Sequence, residues 1–214
     1  MMKKAIWTTL ILLAGTAVSA RADSVVYNNT GPSSLQSDGF TITANAYSVA
    51  DSFTLASPVI IDAISFGDWV YSGDSLTSVE WEISSQPYAE GTVYGLGTVT
   101  SFASTYEGSL NGTDIYTDEF SISPLSLNSG TYYLAFMNGT TVQGYGTFWD
   151  EGDNPASTPY QWTPSRHVAS PSGSETFELI GSSSSAVPEP SSLLLLGSGM
   201  AAATFILRRK LARV

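Results

Sequence analysis

The chain contains no cysteine, so no disulfide staples it and no thiolate can serve as nucleophile or metal ligand. It has one histidine, His167, which leaves too few ligands for a zinc site. Basic residues are nearly absent from the middle of the chain. Between Asp23 and Val187 eighteen Asp and Glu stand against the single Arg166, a net charge of −17 with His167 neutral. Affinity for nucleic acid and anionic lipid rests on Lys and Arg neutralising phosphate, so this surface repels both, and nucleic-acid binding is excluded. No segment in the middle shows a helical period of apolar residues. Disorder throughout is excluded as well, because a 43% hydrophobic composition supplies a core. That core has to hold the domain by packing alone.

The remaining basic residues gather at the two ends. Residues 1–4 are basic, 5–18 mostly apolar, and Ala20-Arg21-Ala22 forms a small-x-small site. This three-part layout predicts a secretory signal peptide over 1–22, with a signal helix and a mature start at Asp23. The other end carries Pro188-Glu189-Pro190, an apolar segment over 191–207, and the cluster Arg208, Arg209, Lys210 and Arg213. As a helix, 191–207 would span roughly 25 Å, near the lower limit for a transmembrane segment. The basic cluster after it predicts a cytoplasmic tail over 208–214 and an acidic domain outside. Prolines and serines make 181–190 a linker.

Motif, short span and terminal arginines, in that order, resemble the PEP-CTERM sorting signal. The resemblance covers 187–214 and implies recognition by an exosortase, a membrane protease that cuts near the motif. It also implies an exported protein, first held in the inner membrane and then delivered to the cell surface or extracellular matrix.

Between the ends, 23–180 reads as one all-β domain. In Val79-Glu80-Trp81-Glu82-Ile83 the apolar residues share one face and the glutamates the other. Further strands are predicted at 25–28, 49–55, 59–66, 92–102, 115–122, 131–137, 142–149 and 176–180. Asn111-Gly112 and Asn138-Gly139 read as tight turns between neighbouring strands, since both residue types tolerate positive φ. The expected architecture is an antiparallel two-sheet sandwich, jelly-roll-like. Leu127, Gly130, Tyr132 and Leu134 form an L-x-x-G-x-Y-x-L strand. That strand resembles ones in outer domains of PEP-CTERM proteins and in jelly-roll carbohydrate-binding modules.

A hydrolase would have to use His167 as base, and no G-x-S-x-G elbow precedes it. Glu80 and Glu82 lie roughly 7 Å apart along one strand, a spacing that paired-carboxylate glycosidases use, but side by side on a polar face rather than across a cleft. Asp150, Glu151, Asp153 and Asn154 offer hard oxygens within five residues and are candidate Ca²⁺ ligands, with Asp114, Asp118 and Glu119 a weaker set. Aromatic residues are expected at strand ends and loops, among them Trp69, Tyr71, Tyr88 and Tyr94. Of these aromatics, Trp149, Tyr160 and Trp162 flank the acidic turn and are the candidate glycan contacts. The expectation is a non-enzymatic surface or matrix protein associated with exopolysaccharide. The alternative is a carbohydrate-binding module or adhesin, and a hydrolase ranks last.

Overall fold

A computed structural model describes residues 23–29, 39–45, 47–87, 91–152, 159–163, 166–169 and 173–183. The expected signal peptide, sorting motif, transmembrane helix and basic tail lie outside these residues. The described chain forms fourteen strands: β1 (Ser24–Asn28), β2 (Gly39–Thr41), β3 (Ser48–Leu55), β4 (Val59–Tyr71), β5 (Leu76–Ser84), β6 (Val93–Val99), β7 (Ala103–Leu110), β8 (Thr113–Leu127), β9 (Gly130–Thr141), β10 (Thr147–Gly152), β11 (Tyr160–Thr163), β12 (Arg166–Ala169), β13 (Ser174–Glu175) and β14 (Phe177–Ser183). Among the described residues there is no helix.

The strands build two sheets, and the named strands pair antiparallel throughout. In the eight-stranded sheet the long β4 is the spine. β8 runs along one side of it, from Val59↔Leu127 to Tyr71↔Thr113. The other side is shared between β14, beside residues 59–66, and β10, beside 68–70. β1 extends β14, β2 and β13 extend β10, and β7 extends β8. The second sheet runs β12-β11-β3-β9-β5-β6.

Alternation decides which side chains enter the space between the sheets. Val79, Trp81 and Ile83 point inward from β5, as their pattern predicts, and Tyr132, Leu134 and Phe136 do so from β9. Phe136 meets Phe66 of the facing sheet at 4.4 Å between ring centroids, and Trp149 at 4.6 Å edge to face. Trp149 then leans on Phe177 at 5.9 Å. Edge-to-face and offset pairs of this kind add to the stabilisation from buried area alone.

Two dipeptides that look alike in sequence behave differently. Asn111 and Gly112, at φ 53° and 88°, form the two-residue turn between β7 and β8. Positive φ at both positions gives the turn a twist that matches the strands it joins. Asn138 also has φ 53°, yet Asn138-Gly139 is not a turn. It lies inside β9, where the pairing with β5 slips between Thr140 and Met137. The two residues form a bulge that lets β9 run on to Thr141. Glycine is required there because a Cβ on Gly139 would strike Thr147 Cγ2 and sit 3.1 Å from the Ile42 carbonyl oxygen. The domain also runs past the expected end at Ile180, since Gly181, Ser182 and Ser183 pair with Ile61, Ile60 and Val59.

Phe136 touches both sheets' aromatic layers, so Phe136→Ala is expected to lower unfolding free energy by about 3–5 kcal/mol. Tyr133→Ala, three residues earlier in β9 and on the opposite face, is expected to cost clearly less. Urea denaturation followed by tryptophan fluorescence measures both.

Candidate functional site

The residues with the most unusual chemistry lie inside the sandwich. Asp51 occupies an inward position of β3 between Val49 and Phe53, where the pattern calls for an apolar side chain, and it is fully buried. Its Oδ2 accepts hydrogen bonds from Asn29 Nδ2 at 3.1 Å, Ser174 Oγ at 3.0 Å and the Glu175 backbone N–H at 2.8 Å. Its Oδ1 accepts from the Ser52 N–H at 2.7 Å. Asn29 is fixed by its own N–H, which donates to the Phe177 carbonyl at 2.8 Å. Donors from the eight-stranded sheet and its connections thus converge on one carboxylate of the other sheet.

Glu175 lies beside this cluster with 0% exposure, and neither of its carboxyl oxygens has a hydrogen-bond partner. Burial pushes its carboxyl well above the ordinary range, and the negative charges of Asp51, Glu151 and Asp150 push it further. Asp68 and Asp118 form a second buried pair on the inward side of β4 and β8, next to Phe66 and Phe120 in the register. Thr147 Oγ1 donates to Asp68 Oδ1, while Asp68 Oδ2 and Asp118 Oδ1 have no hydrogen-bond partner. Burial raises Asp68 well above its usual range, and the neighbouring Asp118 adds to the rise. Asp118 is raised by burial against an opposing hydrogen bond from Ser104.

Of the four candidate Ca²⁺ ligands, Asp150 and Glu151 are among the described residues. Asp150 and Glu151 are successive residues of β10, so their side chains leave opposite faces of the strand. Asp150 receives Trp69 Nε1 at 2.7 Å and Thr176 Oγ1 at 3.2 Å. Asp153 and Asn154 lie outside the described residues. In the weaker set Asp114 clamps a turn by accepting from Ser72 Oγ and the Gly73 N–H, both at 3.0 Å, while Asp118 is buried and Glu119 exposed. Among the described residues no three His, Cys, Asp or Glu side chains are grouped to hold a metal ion.

The aromatic trio is also separated. Trp149 is a core residue with 0% exposure, its Nε1 donating to the Thr176 carbonyl at 2.9 Å, so no face of its ring reaches a glycan. Tyr160 and Trp162 pair with Ala50 and Ser48 on the outer face of the other sheet. There Trp162 packs on Ala50 and Ala135, and Tyr160 lies 5.8 Å from Tyr133. Trp69 is buried against Asp150, whereas Tyr71 and Tyr145 are about half exposed and meet edge to face at 5.7 Å. Tyr145 is a surface aromatic that sequence reasoning passed over, because nothing in its Gly-Tyr-Gly surroundings separates it from a turn tyrosine. Tyr94 packs on Tyr132 at 5.1 Å, and Tyr88 lies outside the described residues.

Glu80 and Glu82 do leave the outer face of β5 together. Glu80 accepts from Asn138 Nδ2 at 2.8 Å. Glu82, beside Ala135 and Leu96 in the register, is buried with its Oε1 unpartnered. β12 sets the backbone of His167 opposite Trp162.

Residues 186–210 match the family model of the PEP-CTERM protein-sorting motif. The match supports an exported protein that passes the membrane and is sorted by an exosortase to the cell surface. No curated protein matches the chain.

The raised carboxyls have a definite pH signature. Above about pH 4 the unfolded chain has released protons that native Asp68 and Glu175 retain. The native state then binds more protons, so stability falls as pH rises from the ordinary carboxyl value through the raised one. The melting temperature is expected to decline as pH rises from the ordinary carboxyl range through the raised one, and Asp68→Asn, which keeps an acceptor for Thr147, should make the decline shallower. Melting temperatures that rise over this interval, or an Asn variant with the wild-type slope, would contradict it.

Proposed function

We propose that the chain is a non-enzymatic surface or matrix protein: exported, held at the membrane by its C-terminal segment, cut there by an exosortase and delivered to exopolysaccharide. The observation that carries this reading is the sorting-motif match over 186–210, with Pro188-Glu189-Pro190, the apolar segment and the arginines in order. The chemistry of the outer domain is consistent with it. Asp51 and Asp150 spend their oxygens on donors that fix strands, and the acidic surface keeps the domain soluble and apart from anionic envelope components.

The test replaces Pro188, Glu189 and Pro190 by Ala in a host that carries an exosortase. The variant is expected to stay in the membrane fraction with its tail attached, while the natural chain loses the tail and co-fractionates with polysaccharide. Intact-mass measurement of both fractions reads the result, and equal processing of the two chains would sink the proposal.

A second reading, a jelly-roll carbohydrate-binding module, is favoured by the exposed Tyr71–Tyr145 corner, whose rings offer stacking faces. On that reading Tyr71→Ala abolishes a saturable glycan affinity of the full chain on a glycan array. An array on which the unaltered chain binds nothing returns the domain to a structural role.

A further inference from the structure

A strand at the edge of a sheet leaves one row of backbone N–H and C=O groups unpaired, and folded proteins guard such edges against other chains. Most edges here are guarded. β13 has two residues, β2 three and β12 four, too short to template a partner strand. β1 is bulged between Val25 and Tyr27, and β7 carries Glu107 and a bulge between Tyr106 and Gly108.

β6 is the exception. It pairs with β5 on one side, and among the described residues no strand pairs with the other. Its sequence, VYGLGTV, has no proline, and no charged residue occurs between Glu90 and Glu107. The pairing with β5 is regular over 95–99, its one irregularity lying at the N-terminal end, between Val93 and Gly95. Leu96 is 66% exposed, and Val93 and Tyr94 are exposed as well.

The inward side of the strand is closed. A Cβ on Gly97 would come within 3.0 Å of Trp81 Nε1, and one on Gly95 within 3.1 Å of both Trp81 and Leu125. Trp81 therefore seals the core behind two glycines, and the strand does not need its outer edge covered to protect the interior.

We propose that β6 is a self-pairing edge, through which two copies of this chain join antiparallel and fuse their six-stranded sheets into one continuous sheet. Charge selects the occupant. A domain of net charge −17 repels a second copy over most of its surface, and an edge without charge is where two copies can approach. Symmetry supports the same choice, because an antiparallel strand pair about a twofold axis is self-complementary. Leu96 and Thr98 leave the same outer face, beside Glu82 and Glu80 in the register. With the axis at Gly97, each would oppose the other across the new pair.

The absence of cysteine makes the test clean, since one introduced thiol reports one position. The full chain, purified in mild detergent, is compared as Leu96→Cys and Val142→Cys, both positions being highly exposed. Treatment with a short bismaleimide is expected to convert most of Leu96→Cys to a covalent dimer and little of Val142→Cys. Sedimentation equilibrium should give twice the chain mass for the unaltered protein, and the single-chain mass for Leu96→Lys with an unchanged far-ultraviolet spectrum. A monomeric unaltered chain overturns the proposal. So does a dimer that Leu96→Lys leaves intact, which would assign association to another part of the chain. Crosslinking of Leu96→Cys in cells to a different envelope protein, without a homodimer, overturns it also by giving the edge another partner.

Discussion

One carboxylate holds the two sheets in register. Apolar packing between Phe136, Phe66 and Trp149 makes the sheets attract, but contacts of that kind are largely non-directional and tolerate sliding. Asp51 does not tolerate it. It stands on β3 in one sheet and accepts from Asn29, Ser174 and Glu175, which belong to the strands and connections of the other. Removing the partner of a buried charge costs about 3–5 kcal/mol, so a displacement that broke these bonds would forfeit much of a domain's net stability. In a chain without cysteine this polar link takes the place that a cross-sheet disulfide has elsewhere.

The arrangement accumulates acid in the interior. Asp51 is solvated by its donors, but Glu175 beside it has none for its carboxyl, and Asp68 and Asp118 share a second buried site. Burial and mutual repulsion raise these groups, so protons compensate where opposite charge would otherwise be needed. Inside and outside thus use carboxyl groups in opposite ways. Surface acids face water, whereas the raised interior acids keep their protons to higher pH. A protein exported to the envelope meets external pH directly, and these interior groups couple its stability to it.

Much of this was legible from residue order, and the failures have physical causes. The alternation from Val79 to Ile83 fixed both the strand and its inward face. Asn111-Gly112 was read correctly because a hairpin turn requires positive φ. Asn138-Gly139 was misread because a bulge satisfies the same requirement. Trp149 reads as a surface residue because three carboxylates fall within the next four positions, yet β10 continues through Gly152 and the indole points between the sheets. The buried acids were the least visible feature. With so many Asp and Glu in the domain, only the inward phase of Asp51 between Val49 and Phe53, and of Asp68 after Ile64 and Phe66, set them apart.

If Asp51 fixes the two sheets to each other, its hydrogen bonds break only when the whole domain unfolds. The most direct measurement is native-state hydrogen exchange at the Glu175 backbone N–H, which donates to Asp51 Oδ2 at 2.8 Å. The account predicts that this amide exchanges with the same free energy as global unfolding, matching Leu134 and Ile64 in the core strands. Exchange through a local opening several kcal/mol cheaper than unfolding would contradict it, and would make β13 a loosely attached edge rather than part of the link between the sheets.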